Sequence, residues 1–244
     1  MRDSKVLVLA KKLLISAVLM ACSANLYSQQ TDRLITVRKL AVKPDKLEKF
    51  TALQKEMSEA WESAGRGRRW VWRQMDGDSH TFHIISEIGS FSERGGSQLV
   101  MDQAHMNLWL DAVGETIRSR EFTTYRRELA IPALDRPNFV VVNERTIRRG
   151  RITEYLDWVE NRFIPVARKY GLSGMIWDRL MYGGNNRTVV NGRFIDSWAE
   201  LDEPMLNLSE DERIQLFEGT DEFFEGDGDR YVMRFEEEMS TGTL

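Results

Sequence analysis

The sequence is poor in the residues that build metal centres and covalent catalytic sites. It has one cysteine and three histidines in 244 residues. It contains no HExxH pattern, no serine elbow and no glycine loop followed by Lys-Ser. Because Cys22 is the only cysteine, the chain cannot form an internal disulfide. No motif therefore identifies a reaction, and the sequence does not determine whether the protein is an enzyme.

The sequence also lacks blocks of one charge. The net charge is -4 and the charges are interspersed, so we expect no nucleic-acid partner. A content of 42% hydrophobic and 30% charged residues is typical of a globular domain with a packed core. No apolar run approaches the roughly 20 residues that a membrane-spanning helix needs.

The first 22 residues have the order of a secretory signal peptide. Four basic residues among the first 12 are followed by the apolar stretch LLISAVLMA (13–21) and then by small and polar residues. Nine apolar residues are too few to span a bilayer. We therefore expect an exported protein, either periplasmic, secreted or lipid-anchored to a bacterial membrane, with a linker over residues 23–33.

Cys22 ends a stretch, LMAC (19–22), that resembles a bacterial lipobox, in which the cysteine is lipidated after cleavage. Ordinary cleavage near Ser28 is the alternative and would give a soluble form. Membrane contact is expected only through a lipid at Cys22. Loss of the basic N-terminus makes the mature protein more acidic, which disfavours binding to an anionic membrane surface.

The rest of the chain reads as two halves, each with the order β-α-β-β-α-β. In the first half, Ile35, Val37 and Lys39 alternate along one side of a strand, Pro44 opens a helix and Gly65 ends it. A hairpin (68–88), a helix (97–119) and a strand (121–132) follow. The second half has a strand (138–147), a helix (151–171), a hairpin (172–201), a short helix (209–219) and a last strand (230–239). Pro165 should kink the helix that contains it.

Residue matches between the halves predict two repeats, 34–134 and 135–244. Phe50 matches Tyr155 at an offset of 105 residues, and Trp72 matches Trp177 at the same offset. Residues 84–93 match 194–203 at an offset of 110. The glycine-containing stretch EGDGDR (225–230) lacks the order of a calcium loop and is interpreted as a turn before the last strand. The match of Trp72 to Trp177 also indicates that Trp72 is partly a feature of the repeated fold.

This layout resembles the dimeric α/β-barrel superfamily in its fused, two-repeat form. The resemblance implies an α+β fold, in which two tandem ferredoxin-like β-α-β-β-α-β repeats form a dimeric-α/β-barrel-like domain. Each repeat leaves one sheet face bare, and two repeats can press those faces together. Members of the superfamily include cofactor-free quinone-forming monooxygenases, haem enzymes and stress-induced proteins. The fold alone does not transfer any of these functions.

The hairpin RRWVWRQMDGDSHTFHIISEI (68–88) concentrates tryptophan and histidine. A two- or four-residue loop centred on Gly77 and Asp78 would pair Trp72 with His83 and Trp70 with Ile85, on one face of the hairpin. His80 and His83 are three residues apart, so they lie on opposite faces of a strand and do not form a metal pair. By the same parity, Trp177, Arg179, Arg193 and Ile195 share a face in the second hairpin.

The resemblance supplies further candidates. The small monooxygenases line a sheet–helix cleft with asparagine and tryptophan, and Trp70, Trp72, Asn107 and Trp109 have those residue types. Haem-dependent members use a histidine ligand, for which His83 and His105 are the candidates. The fused members related to chlorite dismutase hold haem in the second half, which here has no histidine. We therefore predict no metal and no cofactor, and haem held by His83 or His105 is the alternative.

The leading hypothesis is a binding protein. We expect a small apolar or aromatic ligand in a sheet–helix cleft, with candidate ligand-binding residues Trp70, Trp72, His83, His105, Asn107, Trp109, Trp177 and Arg179. In this set Arg179, beside Trp177, would hold an anionic group. A cofactor-independent monooxygenase and a structural scaffold without a ligand are the alternatives. An aromatic-lined cavity would favour the first two functions over the scaffold. The sequence leaves the oligomeric state undetermined.

Overall fold

The computed structural model describes residues 33–91, 100–133 and 137–242. These residues form eight strands: β1 (Leu34–Val42), β2 (Arg69–Gln74), β3 (Thr81–Ile88), β4 (Ile117–Ile131), β5 (Phe139–Ile147), β6 (Met175–Tyr182), β7 (Thr188–Ile195) and β8 (Phe224–Phe235). The helices are α1 (Leu47–Ser63), α2 (Gln103–Thr116), α3 (Ile152–Trp158), α4 (Ile164–Lys169) and α5 (Glu210–Phe217). The predicted signal peptide and nearly all of the linker lie outside the described residues.

The eight strands close into one antiparallel barrel with the order β1-β3-β2-β8-β5-β7-β6-β4. Within it, β4-β1-β3-β2 and β8-β5-β7-β6 are two sheets with the same internal order, as expected for two ferredoxin-like repeats. The sheets join where β2 pairs with β8 and where β4 pairs with β6. The fold class predicted from the sequence is confirmed, and barrel closure turns the bare sheet faces toward each other.

The helices cover the outside of the barrel. In the first repeat, Phe50 of α1 packs on Val71 and Phe82, which point outward from β2 and β3. In the second repeat, Tyr155 and Phe163 pack on Trp177 of β6. Side chains alternate along each strand, so the other set of residues points into the barrel. No helix of the described residues is long and apolar enough to cross a membrane.

The predicted kink at Pro165 takes the form of a π-helical turn. Val159–Phe163 forms this turn between α3 and α4 and ends two residues before Pro165. A proline has no N–H to donate and its ring crowds the preceding turn, so the regular hydrogen-bond ladder cannot continue through it. The wider turn accommodates both effects, while Val159 and Phe163 stay buried against the barrel.

The last strand begins earlier than predicted. β8 starts at Phe224, so the stretch 225–230 lies within the strand and is not a turn before it. Gly226 and Gly228 have positive φ angles, and the register with β5 is irregular beside them. A Cβ at Gly228 would lie 2.4 Å from the carbonyl oxygen of Glu144, so glycine is needed for the two strands to approach. β4 likewise begins at Ile117, four residues before the prediction.

The match of Trp72 to Trp177 is wrong as a structural equivalence. Trp72 points into the barrel, whereas Trp177 points outward to the helices. The inward-facing residues of β6 are Ile176 and Asp178, on either side of Trp177, so the match is shifted by one residue, and a one-residue shift moves a side chain to the other face of a strand. Trp72 is therefore not explained as a repeated core position. The match of Phe50 to Tyr155 does join two buried residues of corresponding helices.

Candidate functional site

The barrel encloses a cavity of about 470 Å³. This lies within the roughly 300–1,000 Å³ of small-molecule sites, and an eight-stranded barrel is wide enough for one small ligand. We call this cavity the lumen, and all eight strands contribute to its wall. Its apolar and aromatic wall is Ile35, Val37, Trp70, Trp72, Ile85, Val140, Val142, Ile176, Leu180, Val190, Phe194, Tyr231 and Met233. Its polar wall includes Lys39, His83, Glu121, Thr123, Tyr125, Arg127, Glu144, Asp178, Thr188 and Asp229.

The hairpin register predicted from the sequence is confirmed. Trp72 pairs with His83, and Trp70 pairs with Ile85. All four side chains line the lumen. Trp72 packs edge-on against Phe235, with ring centroids 5.0 Å apart, and stacks on Phe194 at 6.0 Å. These contacts fix the tryptophan in place as a rigid part of the wall.

Two polar atoms of this wall are buried without a partner among the described residues. They are Nε1 of Trp70 and Nε2 of His83. Trp70 is 5% exposed and His83 is 4% exposed, so bulk water does not reach them. A buried polar atom without a hydrogen bond costs about 1–3 kcal/mol. A ligand that supplied partners for both atoms would recover that free energy.

His83 is held in its neutral form. Burial, together with the positive charge of Lys39, lowers the pKa of His83 to about 3. Its ring stacks on Tyr231, with centroids 5.6 Å apart. Burial and nearby carboxylates, Glu144 first among them, raise the pKa of Tyr231, so the phenol keeps its proton. The same causes raise the pKa of Tyr125, also in the wall, to about 12.

Charged side chains occupy part of the lumen wall, and the sequence predictions did not include them. Arg127 forms two hydrogen bonds with Asp178, at 2.6 and 3.1 Å, so this pair is internally balanced. Lys39, Glu121, Glu144 and Asp229 complete the charged set. Glu121 and Asp229 are exposed and Glu144 is half-buried, so the lumen reaches solvent at these carboxylates. The sequence did indicate the position of Lys39, because the alternation along the first strand places it on the same side as Ile35 and Val37.

The remaining predicted site residues lie outside the lumen, in three separate parts of the fold. His105 is on the exposed face of α2, where its Nε2 lies 2.7 Å from Glu56. Asn107 is exposed on the same helix and bonds to Gln103. Trp109 is buried between α1 and α2 and donates to the Leu53 carbonyl oxygen at 2.8 Å.

Trp177 and Arg179 share the outward face of β6. Their hairpin has the predicted parity, because Met175 pairs with Arg193 and Trp177 pairs with Asn191. Trp177 packs edge-on against Phe163 at 5.7 Å and belongs to the core between barrel and helices. The eight candidates therefore do not converge on one site. Trp70, Trp72 and His83 come together, and the others do not join them.

Around Trp177, side chains fill the space between the sheet and the helices, and the lumen lies on the opposite side of the sheet from the predicted cleft. In the second repeat, Tyr155, Trp158, Phe163 and Phe223 occupy this space. Haem iron needs an axial ligand, most often histidine, and the second repeat has none. The residues of the second repeat therefore do not fit a haem held by a histidine. Among the described residues, no three of His, Cys, Asp and Glu converge as a metal site.

A single chain that closes two ferredoxin-like sheets into one barrel is a fused form of the dimeric α/β barrel. Solved structures share this fold. One is a candidate monooxygenase from Lactobacillus acidophilus NCFM, 12% identical, with a TM-score of 0.62 over 84% of this chain and 94% of that one. Another is an anthrone oxidase-like protein, 14% identical, with a TM-score of 0.59 over 86% and 93%. A third is a haem-binding protein from Thermus thermophilus, 10% identical, with a TM-score of 0.50 over 85% and 92%.

At these identities the likeness shows the fold alone. No protein-family model matches the sequence, and no curated protein is significantly similar to it.

Proposed function

We propose that the protein binds one small aromatic molecule in the lumen of its barrel. The observation that carries this proposal is an aromatic-lined cavity with two buried polar atoms, Trp70 Nε1 and His83 Nε2, that have no partner among the described residues. An aromatic ring would stack on the rigid walls around Trp72. An oxygen or nitrogen on the ligand would accept from the indole N–H, and a hydroxyl or amine would donate to the neutral imidazole.

Isothermal titration of the purified protein with 2-naphthol tests this proposal. Trp70→Phe keeps an aromatic ring and removes the N–H, so we expect roughly a five- to tenfold weaker Kd, the worth of one hydrogen bond. Trp109→Phe is the matched control, because its indole donates to Leu53 outside the barrel. Absence of binding, or equal losses in the two variants, would contradict the proposal.

A second candidate function is the cofactor-independent oxidation of an aromatic substrate by O₂. One group in the lumen wall favours it, because it can accept a proton from a bound substrate. This group is the carboxylate of Glu144, whose pKa is raised by burial and by Asp229 and Glu121 against the opposing effect of Lys39. The fold likeness to a candidate monooxygenase and to an anthrone oxidase-like protein supports the same choice.

Anthrone serves as the probe substrate. Its CH₂ carbon would lose two hydrogens and gain one oxygen atom of O₂, and the other oxygen atom would leave as water, so that one anthrone and one O₂ give one anthraquinone. We expect O₂ uptake above the uncatalysed rate in the presence of EDTA, and a loss of at least roughly tenfold in kcat for Glu144→Gln. An unchanged kcat in this variant would exclude Glu144 as the proton acceptor. A rate of O₂ uptake equal to the uncatalysed rate would exclude this function, and the binding proposal would be unaffected.

A further inference from the structure

The charge of the lumen wall is unbalanced. Once the Arg127–Asp178 pair is set aside, the described wall residues include the carboxylates of Glu121, Glu144 and Asp229 and one ammonium group, that of Lys39. Lys39 lies directly opposite Glu121 across β1 and β4. This leaves an excess of negative charge, concentrated where β5 meets β8. A narrow cavity with low-dielectric walls focuses such a field and raises the local concentration of cations.

Glu144 and Asp229 are directly opposite each other on β5 and β8. Both side chains face the lumen. Like charges at directly opposed strand positions are destabilising. Neither carboxylate forms a salt bridge within the described part of the chain. Burial raises the pKa of Glu144, and repulsion from Asp229 adds to that rise against the opposing effect of Lys39. A cation placed between the two carboxylates would turn this repulsion into attraction.

The same cavity holds an independent sign of a ligand. The imidazole of His83 is 4% exposed, and its Nε2 has no partner among the described residues. The ring lies opposite Lys39 across β3 and β1 and stacks on Tyr231, which follows Asp229 by two residues on the same face of β8. The face of Tyr231 also attracts a positive charge through its π electrons. The acidic and aromatic parts of the wall are therefore contiguous.

We propose that the lumen selects an organic cation with an aromatic body, such as a protonated arylalkyl amine, with the ammonium group at Glu144 and Asp229. This inference rests on the proposed binding function and specifies the charge of the ligand. An inorganic cation fits less well, because metal ions need several converging ligands and none of the described residues form such a group. An anionic ligand would meet the excess negative charge of the wall.

Three naphthalene probes of matched size test the charge preference. They are 2-naphthylmethylamine (cation), 2-naphthalenemethanol (neutral) and 2-naphthoate (anion), each titrated calorimetrically at low ionic strength. We expect affinity in the order cation, neutral, anion, with about a tenfold or greater ratio between cation and anion. The ratio should fall at high ionic strength, because salt screens the interaction at a solvent-connected site.

Variants locate the source of the preference. Glu144→Gln and Asp229→Asn should each reduce the cation-to-anion ratio several-fold, and the double variant should abolish it. Glu160→Gln removes one charge from the outer surface and should leave the ratio unchanged. Each variant is first shown to keep the thermal transition of a folded protein. Since removing one of two repelling charges relieves strain, we expect Tm to stay equal or rise in the lumen variants.

The outcomes separate the two proposals. Equal affinities for the three probes, or tighter binding of the anion, would overturn the charge preference and leave the binding function in place. Failure of all three probes to bind would overturn both. A cation preference that survives in the double variant would also overturn the assignment to Glu144 and Asp229.

Discussion

His83 stacks on Tyr231 inside the barrel, with ring centroids 5.6 Å apart, although the two residues are on strands from different repeats. The contact exists because β2 pairs with β8 and joins the two sheets. It places a neutral imidazole and a protonated phenol side by side in one wall of a cavity. Both side chains depend on barrel closure for their burial, so their ionisation reports on the folded state.

The stability of the protein should fall as the pH decreases below about 6.5. The unfolded histidine binds a proton near pH 6.5, whereas the pKa of His83 in the folded protein is about 3. Between these values the unfolded state holds more protons, so acid favours unfolding. The loss from this residue should be about 2 kcal/mol by pH 5 and should grow toward pH 3.

Urea unfolding at a series of pH values measures this effect. His83→Gln replaces the imidazole with a polar group that does not titrate, so its stability should decline less between pH 7 and pH 5. His105→Gln is the control, because His105 is on the exposed face of α2. If wild type and His83→Gln lose the same free energy of unfolding over this range, His83 is not buried as described.

Arg69 should be the most sensitive arginine on the outer face of the barrel. It is 2% exposed and donates to Ser58 Oγ and the Met239 carbonyl oxygen, each at 2.8 Å, and to Gln54 Oε1. These bonds tie α1 and the segment after β8 to β2. Lysine lacks the planar fork that reaches several acceptors at once, so Arg69→Lys should lower the free energy of unfolding by about 2–4 kcal/mol.

The midpoint of urea unfolding at neutral pH checks this value. Arg213→Lys is a matched control, because Arg213 is exposed on α5 and pairs with Glu210 three residues earlier in the helix. Exposed pairs of this kind contribute less than about 1 kcal/mol. Similar losses in the two variants would mean that the buried hydrogen bonds of Arg69 do not contribute as proposed.

Local patterns in the sequence were sufficient to predict the element order and the hairpin register. The pairing of Trp72 with His83 follows from an even loop between alternating residues. The burial of Phe50 and Tyr155 follows from helical spacing. Both depend on interactions between neighbours in the chain, which the sequence records directly.

Which face of each strand points into the barrel could not be predicted in this way. Trp72 and Trp177 both occupy apolar positions on strands that are buried on both faces, so composition does not distinguish inside from outside. The convergence of Lys39, Glu144 and Asp229 depends on closure of the barrel between distant strands. Composition also did not indicate that large side chains of the second repeat fill the space between Trp177 and the helices.

The processing of the N-terminus remains a prediction, and intact mass spectrometry of protein produced in a bacterial host tests it. The short apolar stretch 13–21 after basic residues predicts cleavage by a signal peptidase. If the lipobox is used, the mature chain begins at a lipid-modified Cys22 and sediments with membranes. If it is not used, the mature chain begins near Ser28, carries no lipid and stays in the soluble exported fraction.

Cys22→Ser separates these two routes, because serine cannot carry the thioether-linked lipid. On the lipoprotein route, the variant should lose the lipid mass and leave the membrane fraction, whereas on the soluble route its mass after cleavage and its location should equal those of the wild type. The body of the protein should fold alike in both cases, since the barrel begins at Leu34, 12 residues beyond Cys22. An uncleaved chain that retains Met1 in the cytoplasm would contradict export by either route.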